Sequence, residues 1–144
     1  MDTAKNSVIF YADDDQDDLM LFQDASTELD AEVHLFACGE EMIVNLLRQL
    51  GKPAVVFVDL NMPKMCGYEV IAAIRSSLVL KDIPVVVLST AGDRLTAEKT
   101  RLAGANYYVQ KPTSIGQLRN AIKYVLSIDW CSFKAQPQEF MYKY

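Results

Sequence analysis

The chain has 144 residues with 14 Lys+Arg against 19 Asp+Glu, a formal net charge of −5 at pH 7, and it is 51% hydrophobic and 23% charged. That size and apolar content suit one domain with a real core and exclude wholesale disorder. A pI near 4.8 without any Lys/Arg cluster argues against a nucleic-acid partner, which would need concentrated positive charge.

Apolar runs of strand length recur along the chain, separated by segments with helical spacing. The first run, Val8 to Tyr11, leads into a helical pattern of Leu19, Phe22 and Leu29. The second, Val33 to Phe36, precedes Met42, Ile43, Leu46, Leu47 and Leu50. The third, Ala54 to Val58, precedes Val70, Ile71, Ile74 and Leu78. The fourth, Val85 to Leu88, is followed by a weaker helical pattern from Asp93 to Ala103, supported by Leu95 and Leu102. The fifth, Tyr107 to Val109, precedes a helix with Ile115, Leu118, Ile122, Val125 and Leu126 on one face. Strands alternating with helices, and so rich in Val and Ile, predict an α/β fold whose parallel sheet is covered on both faces. Such sheets bind ligands beyond the carboxyl ends of their strands.

Chemistry-bearing residues sit at those ends. The first strand runs into Asp13, Asp14 and Asp15, with Asp17 and Asp18 behind them. Crowded carboxylates call for a cation, and an oxygen-only ligand set suits Mg²⁺. Taken singly, Asp15, Asp17 and Asp18 read as acids placed at the positive end of a helix dipole. The third strand ends in Asp59, followed by Leu60, Asn61, Met62 and Pro63. The fourth ends in Ser89 and Thr90, with Thr90 expected to cap the next helix. The fifth ends in Gln110, Lys111 and Pro112, bringing one cation to the same edge. The three cysteines, Cys38, Cys66 and Cys131, fit neither a disulfide framework nor a zinc site and read as small hydrophobes. No basic flank with a long apolar run opens the sequence, and a cytoplasmic location without membrane contact is expected.

In VIFYADDD, VVFVDLNMPKMCGYEV, IPVVVLST and GANYYVQKP, the chain resembles the receiver domain of two-component response regulators, over about Ser7 to Ile128. It looks most like the stand-alone, CheY-like receivers. The resemblance implies a doubly wound (βα)5 flavodoxin-like sandwich with a five-stranded parallel sheet in order 2-1-3-4-5. It assigns residues 7–128 to the receiver and 129–144 to an aromatic-rich C-terminal extension. Asp59 would be the phosphoacceptor, accepting from a sensor histidine kinase or a His-phosphotransfer protein. Mg²⁺, or Mn²⁺, would be held by Asp14, Asp59 and the backbone carbonyl of Asn61, with Asp13 acting through water. Lys111 and Ser89 would hold the phosphoryl oxygens, and Ser89 with Tyr108 would form the switch that presents a face to a downstream target protein. Lys111–Pro112 would be a cis peptide. Apart from handling its own phosphorylation and dephosphorylation, no enzyme activity is implied. A modest phosphoryl lifetime is expected from Asn61 and the small Ala91 beside the site.

Two rivals stand beside this reading. One is a haloacid-dehalogenase-type phosphatase with Asp13 as nucleophile and Asp15 as acid/base, although Asp17 departs from that pattern. The other is a receiver used for docking without phosphorylation. The expected output face carries Arg94, Lys99, Arg101, Tyr107, Arg119 and Lys123, while Asp17, Asp18, Asp24 and Glu28 could face a kinase. In the tail, Trp130, Phe133, Phe140, Tyr142 and Tyr144 form either a docking strip or homodimer contact, or a segment folded back on the domain. Monomer and homodimer are both open.

Overall fold

The computed structural model describes residues 7–48 and 53–144. Its elements alternate: β1 (Ser7–Ala12), α1 (Gln16–Ser26), β2 (Ala31–Phe36), α2 (Gly39–Arg48), β3 (Val55–Val58), α3 (Gly67–Ser76), β4 (Val85–Ser89), α4 (Arg94–Ala103), β5 (Tyr107–Gln110) and α5 (Ile115–Ser127). The strands form one parallel sheet in the order β2-β1-β3-β4-β5, the flavodoxin-like arrangement. No helix among the described residues is long and apolar enough to cross a membrane.

Side chains alternate across each strand, so the near-continuous apolar runs supply two cores. Phe10, Ala12, Val56, Val58 and Val87 pack with Met42, Leu46, Val70, Ile71 and Ile74 on the α2–α3–α4 side. Ile9, Tyr11, Val55, Phe57, Val86 and Val109 pack with Leu19, Phe22, Leu118, Ile122 and Val125 on the α1–α5 side. The helix starts follow from side-chain oxygens that accept otherwise unpaired backbone N–H groups. Asp15 caps α1 through the N–H groups of Asp17 and Asp18, Asp93 caps α4 through Thr96, and Ser114 caps α5 through Gln117.

Several sequence expectations shift here. Leu29 lies beyond α1, because the hydroxyls of Ser26 and Thr27 donate back to the carbonyls of Phe22 and Asp24 and close the helix early. Leu78 follows α3 and is 90% exposed. On α4 the buried residues are Ala97 and Thr100, small enough for close approach to the sheet, whereas Leu95 and Leu102 face outward. Thr90 does not cap α4, since Asp93 does. Leu50 lies outside the described residues. The Lys111–Pro112 bond is trans, the isomer ordinarily favoured before proline. The cysteines are free, and Cys131 is exposed rather than packed as a small hydrophobe, because it follows α5 in a surface turn.

After α5 the chain turns back along the open edge of β5. A 3-10 turn at Pro137–Glu139 delivers Phe140 into the α2–α3–α4 core, where it is 2% exposed. Met141 then bridges Tyr108 in parallel, with the Tyr108 N–H donating to the Phe140 carbonyl at 3.0 Å and the Tyr142 N–H donating to the Tyr108 carbonyl at 2.8 Å. Trp130, Phe133 and Tyr142 pack against the α1–α5 side. The aromatic tail is thus a folded-back segment that pairs an otherwise open sheet edge.

Candidate functional site: an acidic cluster at the carboxyl edge of the sheet

The backbone ladders run one residue past the strands and so fix the acids. The Asp13 N–H donates to the Phe36 carbonyl at 3.0 Å and the Asp59 N–H to the Ala12 carbonyl at 3.1 Å, leaving both residues at adjacent strand ends. Gly67 lets the start of α3 close on this corner: a Cβ there would lie 2.6 Å from the Asp59 carbonyl oxygen and 2.8 Å from the Leu60 Cα. Its N–H donates to the Leu60 carbonyl at 3.0 Å.

One carboxylate oxygen each of Asp13, Asp14 and Asp59 lies within 4.8 Å of the others. Asp13 and Asp59 are buried, while Asp14 is exposed. Lys111, carried in by β5, places its Nζ 2.8 Å from Asp13, 2.7 Å from Asp18 and 3.6 Å from Asp59. One ammonium therefore faces three carboxylates, with Asp14 a fourth acid in the cluster, an excess of negative charge that suits a hard divalent cation with oxygen ligands. Burial, and then the charge of Asp13, push the Asp59 carboxyl up from 3.8 to about 6, against Lys111 and the N–H groups of Asn61 and Leu60. Burial alone would lower the Lys111 amine. The hydrogen bonds that the amine donates to Asp13 and Asp18 outweigh that effect and hold it above its ordinary value.

Ser89 is fully buried at the end of β4, and its carbonyl accepts the Lys111 N–H at 2.8 Å. Tyr108 is also buried, and its hydroxyl donates to the Ala91 carbonyl at 2.7 Å. Desolvation raises its phenol above the usual value, partly offset by the Ser89 hydroxyl. Asn61 is exposed beside Asp59.

Two participants escaped the sequence reading. Asp18, read as a solvated first-turn acid, instead pairs with Lys111, 93 residues away, a partnership with no local signal. Tyr11 is buried in β1 and donates its hydroxyl to the Asp13 carboxylate. Burial, then the neighbouring Asp13, drives that phenol far above its ordinary range. A signal did exist, because residues two apart on a strand share a face, which puts Tyr11 beside Asp13. Asp15 spends its side chain on the α1 cap. On the nominated output face Tyr107 is buried, because the returning tail and Tyr124 cover it. Arg101 is engaged by Glu98 there, and Arg119 by the Ala25 carbonyl and Glu28.

Comparison with known proteins decides the family: the model for the response regulator receiver domain matches residues 9–123. The chain belongs to the response regulator receiver family. Among its relatives, protein PilG of Pseudomonas aeruginosa is 37% identical over 71 residues, covering 49% of this chain and 53% of that protein. A probable chemotaxis protein CheY of Rhizobium etli is 28% identical over 125 residues, covering 87% of this chain and 96% of the relative. Among solved structures, the phosphorylated cyanobacterial phytochrome response regulator RcpA superposes with a TM-score of 0.74 at 31% identity, covering 88% of this chain and 95% of that one. Asp13, Asp14, Asp59, Ser89, Tyr108 and Lys111 all lie within the matched span.

Proposed function

We propose that this receiver accepts a phosphoryl group on Asp59 from a sensor histidine kinase or a His-phosphotransfer protein and passes the change to a downstream protein. The observation that carries the reading is the buried Asp59 carboxylate among Asp13, Asp14 and Lys111, at the strand edge where an α/β sheet does its chemistry. Asp14, Asp59 and the Asn61 carbonyl, with Asp13 through water, would hold Mg²⁺ or Mn²⁺. When bound, such an ion neutralises charge on the transferring oxygens.

Asp59 acts as the nucleophile. One of its oxygens bonds to phosphorus as the bond from phosphorus to the donor breaks, giving an acyl phosphate. Lys111 exchanges its contacts with Asp13 and Asp18 for a phosphoryl oxygen. The Ser89 hydroxyl donates to another, leaving the Tyr108 ring in the space beneath it. Water then hydrolyses the acyl phosphate, returning Asp59 unchanged. The phosphoryl group adds roughly −1.5 to −2 charges at this edge, enough to reorganise nearby hydroxyl and ammonium donors. The engagement of Asp15 in the α1 cap weighs against the phosphatase reading, which needs that carboxylate as acid/base.

The test is chemical. Incubation with a small acyl phosphate and Mg²⁺ should add one phosphoryl group that EDTA prevents and hydroxylamine removes. A label that forms in EDTA, or that resists hydroxylamine, would overturn an acyl phosphate formed at this acidic cluster.

A further inference from the structure

Among receiver-like features, the tail is the part of this chain that the phosphoacceptor reading leaves without a role. Residues 140–144 lie along β5, the strand that carries Tyr108 and Lys111. Three polar contacts seat them: Tyr108 N–H to the Phe140 carbonyl at 3.0 Å, Tyr142 N–H to the Tyr108 carbonyl at 2.8 Å, and the Tyr144 hydroxyl to the Gln110 carbonyl at 2.6 Å. The first two use the edge groups of Tyr108 itself. The Phe140 ring, 6.5 Å from the rings of both Tyr107 and Tyr108, is almost completely buried. The same strand residue whose side chain reaches Ala91 beside Ser89 therefore has its backbone clamped by the tail.

We infer that residues 140–144 form an intramolecular strap that holds Tyr108 turned inward and is thereby coupled positively to phosphorylation of Asp59. Phe140 fills the space at the sheet edge through which the Tyr108 ring would swing outward, so an outward ring and a seated strap exclude each other. Phosphorylation draws the Ser89 hydroxyl towards Asp59 and favours the inward ring, which is the ring position the strap requires. Linkage then demands reciprocity: whatever factor the strap adds to binding at Asp59, a ligand at Asp59 returns to the strap. A partner reading the β5 edge as an extended strand must displace residues 140–144, and it competes best with the unphosphorylated form. This inference rests on the phosphoacceptor reading and extends it to regulation of the same site.

The probe is beryllofluoride with Mg²⁺, a mimic of the phosphoryl group, used on the full chain. Two variants loosen the strap by different means. Phe140→Ala removes the buried ring, and Tyr142→Pro removes the N–H that bonds to Tyr108. Circular dichroism identifies whichever of them keeps the native fold. Each folded variant should bind the mimic at least fivefold more weakly than the unaltered chain, within the range usual for coupled sites. In the unaltered chain, adding the mimic should slow hydrogen exchange at the Tyr108 and Tyr142 amides by a matching factor. Unchanged affinity in a folded variant, or exchange that stays constant or quickens, overturns the coupling while leaving phosphorylation of Asp59 intact. If the unaltered chain shows no binding that depends on Asp59, the phosphoacceptor reading falls and takes the coupling with it. Doubling of the mass in light scattering as the strap seats would overturn the intramolecular assignment, because a second copy would then supply the segment.

Discussion

Asp59 should make the metal-free protein less stable, and removing its charge should reverse that. Burial and the nearby Asp13 carboxylate raise the Asp59 carboxyl from 3.8 to about 6. A carboxyl raised on folding binds its proton more tightly in the folded state. Stability from this group is therefore fully present below about pH 3.8, declines as pH rises through 6, and is lost at neutral pH. The shift from 3.8 to about 6 corresponds to about 3 kcal/mol at pH 7. Asp59→Asn in EDTA should thus raise stability by about 2 to 3 kcal/mol at pH 7.5, roughly 6 to 12 °C in Tm, with little gain at pH 4. Urea unfolding of both proteins across pH 4 to 8 measures the difference directly. A gain that is the same at pH 4 and pH 7.5, or no gain at all, would refute the claim that a buried, repelled carboxylate carries the site.

Three further outcomes follow from other contacts. Asp18→Asn removes a carboxylate 2.7 Å from the Lys111 Nζ, so phosphoryl uptake from a small acyl phosphate should quicken, up to about fivefold for a partly exposed ion pair of about 1 kcal/mol. An unchanged or slower rate would show that Asp18 does not compete for Lys111. Gly67→Ala drives a Cβ into the backbone of Asp59 and Leu60, and thermal unfolding should show a loss of at least about 2 to 3 kcal/mol together with impaired labelling. Lys64, at φ 68 in the turn after Pro63, pays the left-handed penalty of a non-glycine residue, so Lys64→Gly should be neutral to about 1 kcal/mol stabilising by chemical denaturation.

The strand pattern was legible because parallel strands buried on both faces leave nearly unbroken Val and Ile runs, and Val55 to Val58 or Val85 to Leu88 admit few other readings. The site was legible for a related reason: strand ends are where the chain stops being apolar, so Asp13, Asp59, Ser89 and Lys111 stand out against what precedes them. What stayed hidden depends on distant partners. Nothing local to α1 tells Asp18 that Lys111 will face it. Tyr11 reads as an ordinary strand aromatic until the Asp13 carboxylate beside it is taken into account. On α4, the apolar leucines drew attention to the wrong face, because close packing there selected Ala97 and Thr100. The tail lacks any periodicity, since it is held by an edge of backbone donors and acceptors and by one inserted ring, Phe140.

The central claim is that Asp59, rather than Asp13, takes the phosphoryl group. Intact mass after incubation with a small acyl phosphate and Mg²⁺ should show one added phosphoryl group on the unaltered chain, none on Asp59→Asn, and a reduced but real gain on Asp13→Asn. Labelling that survives Asp59→Asn and disappears in Asp13→Asn would contradict the account and move the nucleophile to the end of β1.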